Sequence, residues 1–403
     1  MNDIEKIMMV EDITKKYSNA SSAPLIIKKC LSNLIAMNDF KLLSRLNYNL
    51  MESIILDRNY DFQIDFFADY YNEGLLKSYL ETRGFAPEKS KRLIQKLFKE
   101  NKQSVLLGYI GEANMDEFAK VVAEFGDTQM VCALVKTFPF VPAKNMSKLI
   151  LENGTETEIC IFAKYSNNPP IRQLSDRILE LGKIKYVYEF ARDIKGAPVD
   201  KHAKFVANAK NVGFAYEFLR DVDCGVNQEL IDLIINSNDA DYIYNTALRV
   251  KDAPLEQLAR AVCRCGNLWF VLAFVQNVKN APVDIFVDYI ISTHNAYKIY
   301  NFARLLNTDR IDDLTDAFVD TKNILYAIDF AMYVKNAPIN KLAKMVIDSG
   351  DIDRIFMFAT QVKNAPVPLL AQALKKKRLD LYLLLVPEKK EEEIELLLNE
   401  FSN

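Results

Sequence analysis

Histidine is nearly missing from this sequence: 403 residues contain two, His202 and His294, and neither belongs to an HExxH. The six cysteines include no CxxC pair. Closely spaced Cys and His of the kind that build zinc sites are therefore lacking, and no metal or cofactor is expected. Thiols scattered through a large chain fit a reducing, cytoplasmic setting better than a disulfide framework. Glycine (12) and proline (13) are scarce, and no GxxxxGK[ST], GxGxxG or GxSxG occurs. Phosphate-cradling loops and nucleophile elbows are missing with them. No apolar run approaches the ~18 residues that a membrane-spanning helix needs, and "LDLYLLLV" at 379–386 suits a buried helix. The opening "MNDIEKIMMVEDITKKYSNASSAP" carries acidic residues without an uninterrupted apolar stretch, so a secretory signal is not expected. A dominant charge is lacking too. With 51 Lys and Arg against 54 Asp and Glu, the net charge is -3, and no global field draws the chain to nucleic acid or membrane.

What is present is a period. The Ala-Pro turns at Pro198, Pro254, Pro282, Pro338 and Pro366 share one 28-residue phase, continued through Val226 and Arg310 and back through Pro170, Pro142 and Asn114. With the proline as position 0, positions 1, 4, 5, 8 and 9 are apolar or small, as in Ile339, Leu342, Ala343, Val346 and Ile347. That spacing buries one face of a helix. Position 12 is often glycine (Gly126, Gly154, Gly182, Gly266, Gly350), as a left-handed residue after a helix requires. Position 13 is often Asp, Asn or Thr, a good N-cap for a second helix: Asp127, Thr155, Asp239, Asn267, Asn295, Asn323, Asp351. Positions 16 to 24 then carry an aromatic-rich apolar face, as in "YVYEFARDI" at 186–194. The next proline ends the second helix.

Each unit therefore predicts a helical hairpin that cannot bury its own apolar face until neighbours stack on it. The expected fold is all-α: a right-handed α-solenoid of about thirteen 28-residue two-helix repeats with terminal capping helices. Its parts are an N-terminal cap segment at 1–22, degenerate repeats at 23–113, regular repeats at 114–386 and a charged amphipathic capping helix at 387–403. Consecutive short helix pairs resemble the HEAT- and armadillo-like α-solenoids in architecture, although this unit is shorter than theirs. The resemblance implies a fold and carries no activity.

Function has to be sought among polar residues that recur in phase. Position 22, on the second helix, holds Lys136, Lys164, Arg192, Arg220 and Arg304; position 25 holds Lys195, Lys251, Lys279, Lys335 and Lys363. The position 25 lysines read either as partners of the second helix's terminal carbonyls and dipole or as an edge that binds an acidic partner or phosphate. Position 22 reads either as a solvated face or as a track for a phosphate backbone. Tyr186, Tyr188, Tyr216, Tyr242, Tyr244 and Tyr300 read as packing between hairpins, with base stacking as the alternative. The expected contact surface adds position 19 (Glu189, Glu217, Asn245, Asn301, Asp329) and the lone Trp269, a rim site. Its mixed signs suit a protein or peptide partner, so the first reading is a non-enzymatic interaction scaffold. A sequence-tolerant DNA or RNA binder using Lys136, Lys164, Arg192 and Arg220 stands second. A DNA-glycosylase-like enzyme, suggested by resemblance to helical-repeat glycosylases, stands third, and no catalytic residue is assigned. The oligomeric state is left open.

Overall fold

A computed structural model describes residues 48–56 and 63–386 apart from 139, 307 and 376, together with positions 5, 8, 9 and 12. The expected cap segment at 1–22 (those four positions apart), the stretch 23–47 and the capping helix at 387–403 lie outside the described residues. Among those described the secondary structure is helical, with one isolated parallel bridge between Pro142 and Asn167.

The helices come in hairpins and keep the phase read from the prolines. First helices begin at Ile171, Val199, Gln228, Leu255, Val283, Ile311, Ile339 and Val367, a period of 28 residues to within one. The proline is the N-cap residue: Pro170, Pro254 and Pro338 offer their carbonyls to Leu174, Leu258 and Leu342. Where the phase lacks proline, at Val226, Asn227 caps the helix by accepting from the Leu230 amide, and the helix starts one residue late.

Both turns of the hairpin follow from residue chemistry. Position 12 is left-handed: Gly126, Gly182, Gly266 and Gly350 occupy it, and so do Lys210, Asn238, His294 and Lys322. Gly154 departs from this expectation, with φ −70. Its glycine is required for another reason, since a Cβ there would run into the carbonyl oxygen of Ile150. At position 13 the side chains of Asp127, Thr155, Asp239, Asn267, Asn295, Asn323 and Asp351 all accept amide hydrogen bonds from the first turn of the second helix. Thr155 and Glu158 complete a capping box. At position 26, before the Ala-Pro, Asn280, Asn336 and Asn364 take φ of 60, 58 and 62, as expected for a residue type that tolerates the left-handed region.

Two compact units emerge from the packing, Met1–Ala209 and Lys210–Asn403. Within each, first helices pack on first helices and second on second, and the two helices of a hairpin also pack on each other, as where Leu255–Arg264 meets Leu268–Asn277. This is the layering of an α-solenoid. Its core has a spine at position 20, where Phe162 and Phe190 in the first unit, and Phe218, Phe274, Phe302, Phe330 and Phe358 in the second, are fully buried. Thr246 takes that place in one hairpin and ties its hydroxyl to the Tyr242 carbonyl at 2.7 Å. Small residues at positions 5 and 21, such as Ala203, Ala259, Ala303 and Ala343, let neighbouring helices approach.

Candidate functional site

Burial of positions 17, 20 and 21 fixes which way each second helix faces. Positions 15, 19 and 22 fall on the opposite side, four and three residues apart, and form one stripe. In the second unit this stripe runs over the helices Ala240–Arg249, Leu268–Asn277, Ala296–Leu305, Ala327–Tyr333 and Ile352–Gln361.

The basic residues of position 22 reach the surface: Lys136, Lys164, Arg192, Arg220 and Arg304 are all exposed. Two of them are already engaged. Arg192 grips the neighbouring Asp193 through two bonds of 2.7 and 3.0 Å and stacks over Tyr188 at 5.0 Å. Arg220 repeats the arrangement with Asp221, at 2.6 Å twice, and Tyr216, at 5.2 Å. Arg192 holds the Asp193 carboxyl below its usual range, so the pair keeps both charges at neutral pH. Lys164 lies over Tyr165, within electrostatic reach of Asp193, and Arg304 lies over Tyr300; among the described residues neither is in an ion pair. Two of the four rungs proposed for a phosphate track are therefore internally neutralised.

The tyrosines separate by position. Tyr188, Tyr216, Tyr244 and Tyr300, all at position 18, are buried between hairpins. Tyr186 and Tyr242 are half-buried; Tyr186 receives a hydrogen bond from Thr157 at 3.0 Å. Position 19 is half-buried at Glu189, Glu217, Asn245, Asn301 and Asp329, buried at Ala273 and exposed at Met357, and its amides turn inward on their own helices. Asn245 donates to the Asp241 carbonyl and carboxylate at 3.0 Å each, and Asn301 to the Tyr297 carbonyl at 2.8 Å. Glu189 lies 3.9 Å from Lys185; Glu217 and Asp329 are half-buried on the same face.

The strongest feature of this face was only partly visible in the sequence. Trp269 is 63% exposed, and its counterparts in the next two hairpins, Tyr297 and Leu325, are 53% and 60% exposed. Leu305, Met332, Tyr333 and Met357 extend the patch toward the ends of their helices. Trp269 is braced edge-on by Phe270 at 4.7 Å, with Tyr244 behind at 6.4 Å. The helix that carries it, LWFVLAFVQN, has no charged residue at all. That composition was the available signal. Averaging position 15 over all hairpins hides it, because Lys185, Asp241 and Asp353 occupy the same place elsewhere.

The position 25 lysines also differ from the capping expectation. Lys195, Lys251, Lys279, Lys335 and Lys363 are exposed, and among the described residues no hydrogen bond joins their side chains to a helix-end carbonyl. The carbonyls at the helix end are met by the backbone instead, as where Val278 and Val334 donate to Phe274 and Phe330. The lysine is free to meet something else.

Among the described residues, the thiols and imidazoles are buried or isolated rather than grouped. Burial pushes Cys132, Cys160 and Cys263 up to about 12, which leaves them protonated and unreactive. His202 is fully buried, stacked on Phe190 at 5.6 Å, with Nδ1 3.0 Å from the Pro198 carbonyl. His294 is exposed in its left-handed turn. Among the described residues no group of three or more His, Cys, Asp or Glu could hold a metal ion, and no helix is long and apolar enough to cross a membrane.

Fold and face together define an α-solenoid of tandem helical hairpins with an exposed apolar patch on its second-helix layer. No protein-family model and no curated protein matches the sequence. Among solved structures it is similar to a circular tandem repeat protein with novel repeat topology and enhanced subunit contact surfaces. The two are 12% identical over 96% of this chain and 88% of the other, with a TM-score of 0.12. A likeness that weak adds nothing to the fold described above.

Proposed function

We propose that the protein is a non-enzymatic interaction scaffold that binds a protein or peptide partner across its second helices. The right-handed winding and HEAT/armadillo-like character expected from the sequence, and a cytoplasmic location, belong to the same reading. The observation that carries it is the exposed row Trp269, Tyr297 and Leu325 in three successive hairpins. Large apolar side chains cost about 25 cal/mol for each Å² left in water. Isolated ones are ordinary on any surface; a contiguous patch rimmed by polar groups marks a contact site. Trp and Tyr are also the residues that most often dominate such contacts.

A nucleic-acid track is the weaker reading, because Arg192 and Arg220 are held by Asp193 and Asp221. The test is a comparison of proteins captured from extract by the native chain and by Trp269→Ala/Leu325→Ser, once circular dichroism shows the variant folded. Partners retained by the native chain and lost by the variant support the scaffold reading. Identical captures would reject this face as the site.

A further inference from the structure

Resting on that reading, we infer that the partner segment is acidic as well as apolar: its carboxylates meet unpaired cations at the C-terminal edge of the second helices, and its apolar side chains cover the Trp269–Tyr297–Leu325 row.

The second unit carries a charge asymmetry across this face. At the N-terminal edge of the second helices lie Asp239, Asp241, Asp351 and Asp353. At the C-terminal edge lie Arg249, Lys251, Lys279, Arg304, Lys335 and Lys363, all exposed and, among the described residues, none in an ion pair; exposed carboxylates there, Asp223 and Asp252 among them, lie before the patch begins. Some cations elsewhere on the surface of this unit find carboxylates, as Arg310 pairs with Asp288 at 2.7 Å and Lys341 with Asp316 at 2.6 Å, while others, such as Arg260, Arg264 and Lys344, are exposed without one among the described residues. What distinguishes this edge is that its exposed cations recur from hairpin to hairpin beside the apolar patch. The patch reaches it directly, with Arg304 next to Leu305 and Lys335 two residues after Tyr333.

The spacing suits an extended chain. Packed helices lie about 8–10 Å apart, and an extended polypeptide advances roughly 3.3 Å per residue. A carboxylate at every third position would meet successive rungs while the residues between face the apolar row. A single-stranded nucleic acid fits less well. Leu325, Met332 and Met357 offer no ring for stacking, and a polymer charged at each nucleotide could not keep its charge away from Asp329 in mid-face and from Asp241 and Asp353. A peptide can put acid on one side only.

The experiment uses two labelled synthetic peptides of about 12 residues, with the same Leu and Phe positions and either Glu or Lys at every third position. Each is titrated with the full chain and followed by anisotropy at low and moderate salt. The acidic peptide is expected to bind about tenfold or more tightly than its basic twin, with the gap narrowing as salt rises. The variant Lys279→Glu/Arg304→Glu/Lys335→Glu should invert the preference. The neutral Lys279→Met/Arg304→Met/Lys335→Met, which keeps the side-chain stems, should erase it if charge reversal disturbs the fold. Equal affinity for the twins overturns the acidic partner and leaves the docking face standing. No binding of either peptide up to about 1 mM overturns both. An oligothymidylate that outcompetes the acidic peptide overturns it in favour of nucleic acid.

Discussion

Single residues in this protein are chosen for backbone angles as often as for contacts, and the choice can be tested one position at a time. Lys322 holds a left-handed turn at φ 53 that glycine fills in the equivalent turns at Gly182, Gly266 and Gly350. Such a conformation costs an L-residue about 1–2 kcal/mol, so Lys322→Gly should raise the urea midpoint by an amount of that order. Gly154 behaves in the opposite way. Its angles suit any residue, but an added Cβ meets the Ile150 carbonyl. Gly154→Ala should therefore cost about 1–3 kcal/mol, the usual cost of overpacking, read by the same denaturation. The sequence presents both positions as one phase of one repeat. It cannot separate them, because the distinction depends on the path of the preceding turn.

The hairpin was the most legible level. Proline, the capping Asp or Asn and the apolar spacing each act locally, so Asn295 and Pro282 announce helix ends before any packing is known. What escaped was orientation and pairing: that Arg192 would close on Asp193, or that the position 25 lysines would stand clear of the helix ends. Those outcomes depend on rotamers and neighbours rather than on spacing. One element-level device has a pH signature. His202 packs against the preceding hairpin, near Ser175, Phe190, Asp176 and Lys201, and burial lowers its pKa below the ordinary value of 6.5. It is neutral in the fold and takes up a proton on unfolding. Stability should therefore be level above about pH 7 and fall as pH drops through 6.5, by up to about 1.4 kcal/mol per pH unit. Urea titrations at pH 7.5, 6.5 and 5.5 should show that slope in the native chain and a shallower one in His202→Phe. Equal slopes would assign the effect to carboxylates.

At the largest scale, within each compact unit, the hairpins stack so that each buries its neighbour's apolar face and leaves the second-helix stripe in solvent. The all-α repeat architecture followed from a 28-residue period sustained over many units, since only stacking satisfies so regular an apolar pattern. The position of the working face did not follow, because the stripe changes from charged in the first unit to apolar over Leu268–Tyr333, and a repeat average conceals that change. The chain supplies its own probe of this claim. Trp269 is its sole tryptophan and begins the exposed row of the patch. Acrylamide quenching of its fluorescence, measured with and without saturating acidic peptide, reads the face directly. An open docking surface predicts ready quenching in the free protein, independent of protein concentration, and marked protection once the peptide is bound. A tryptophan as shielded in the free chain as in the mixture would contradict it.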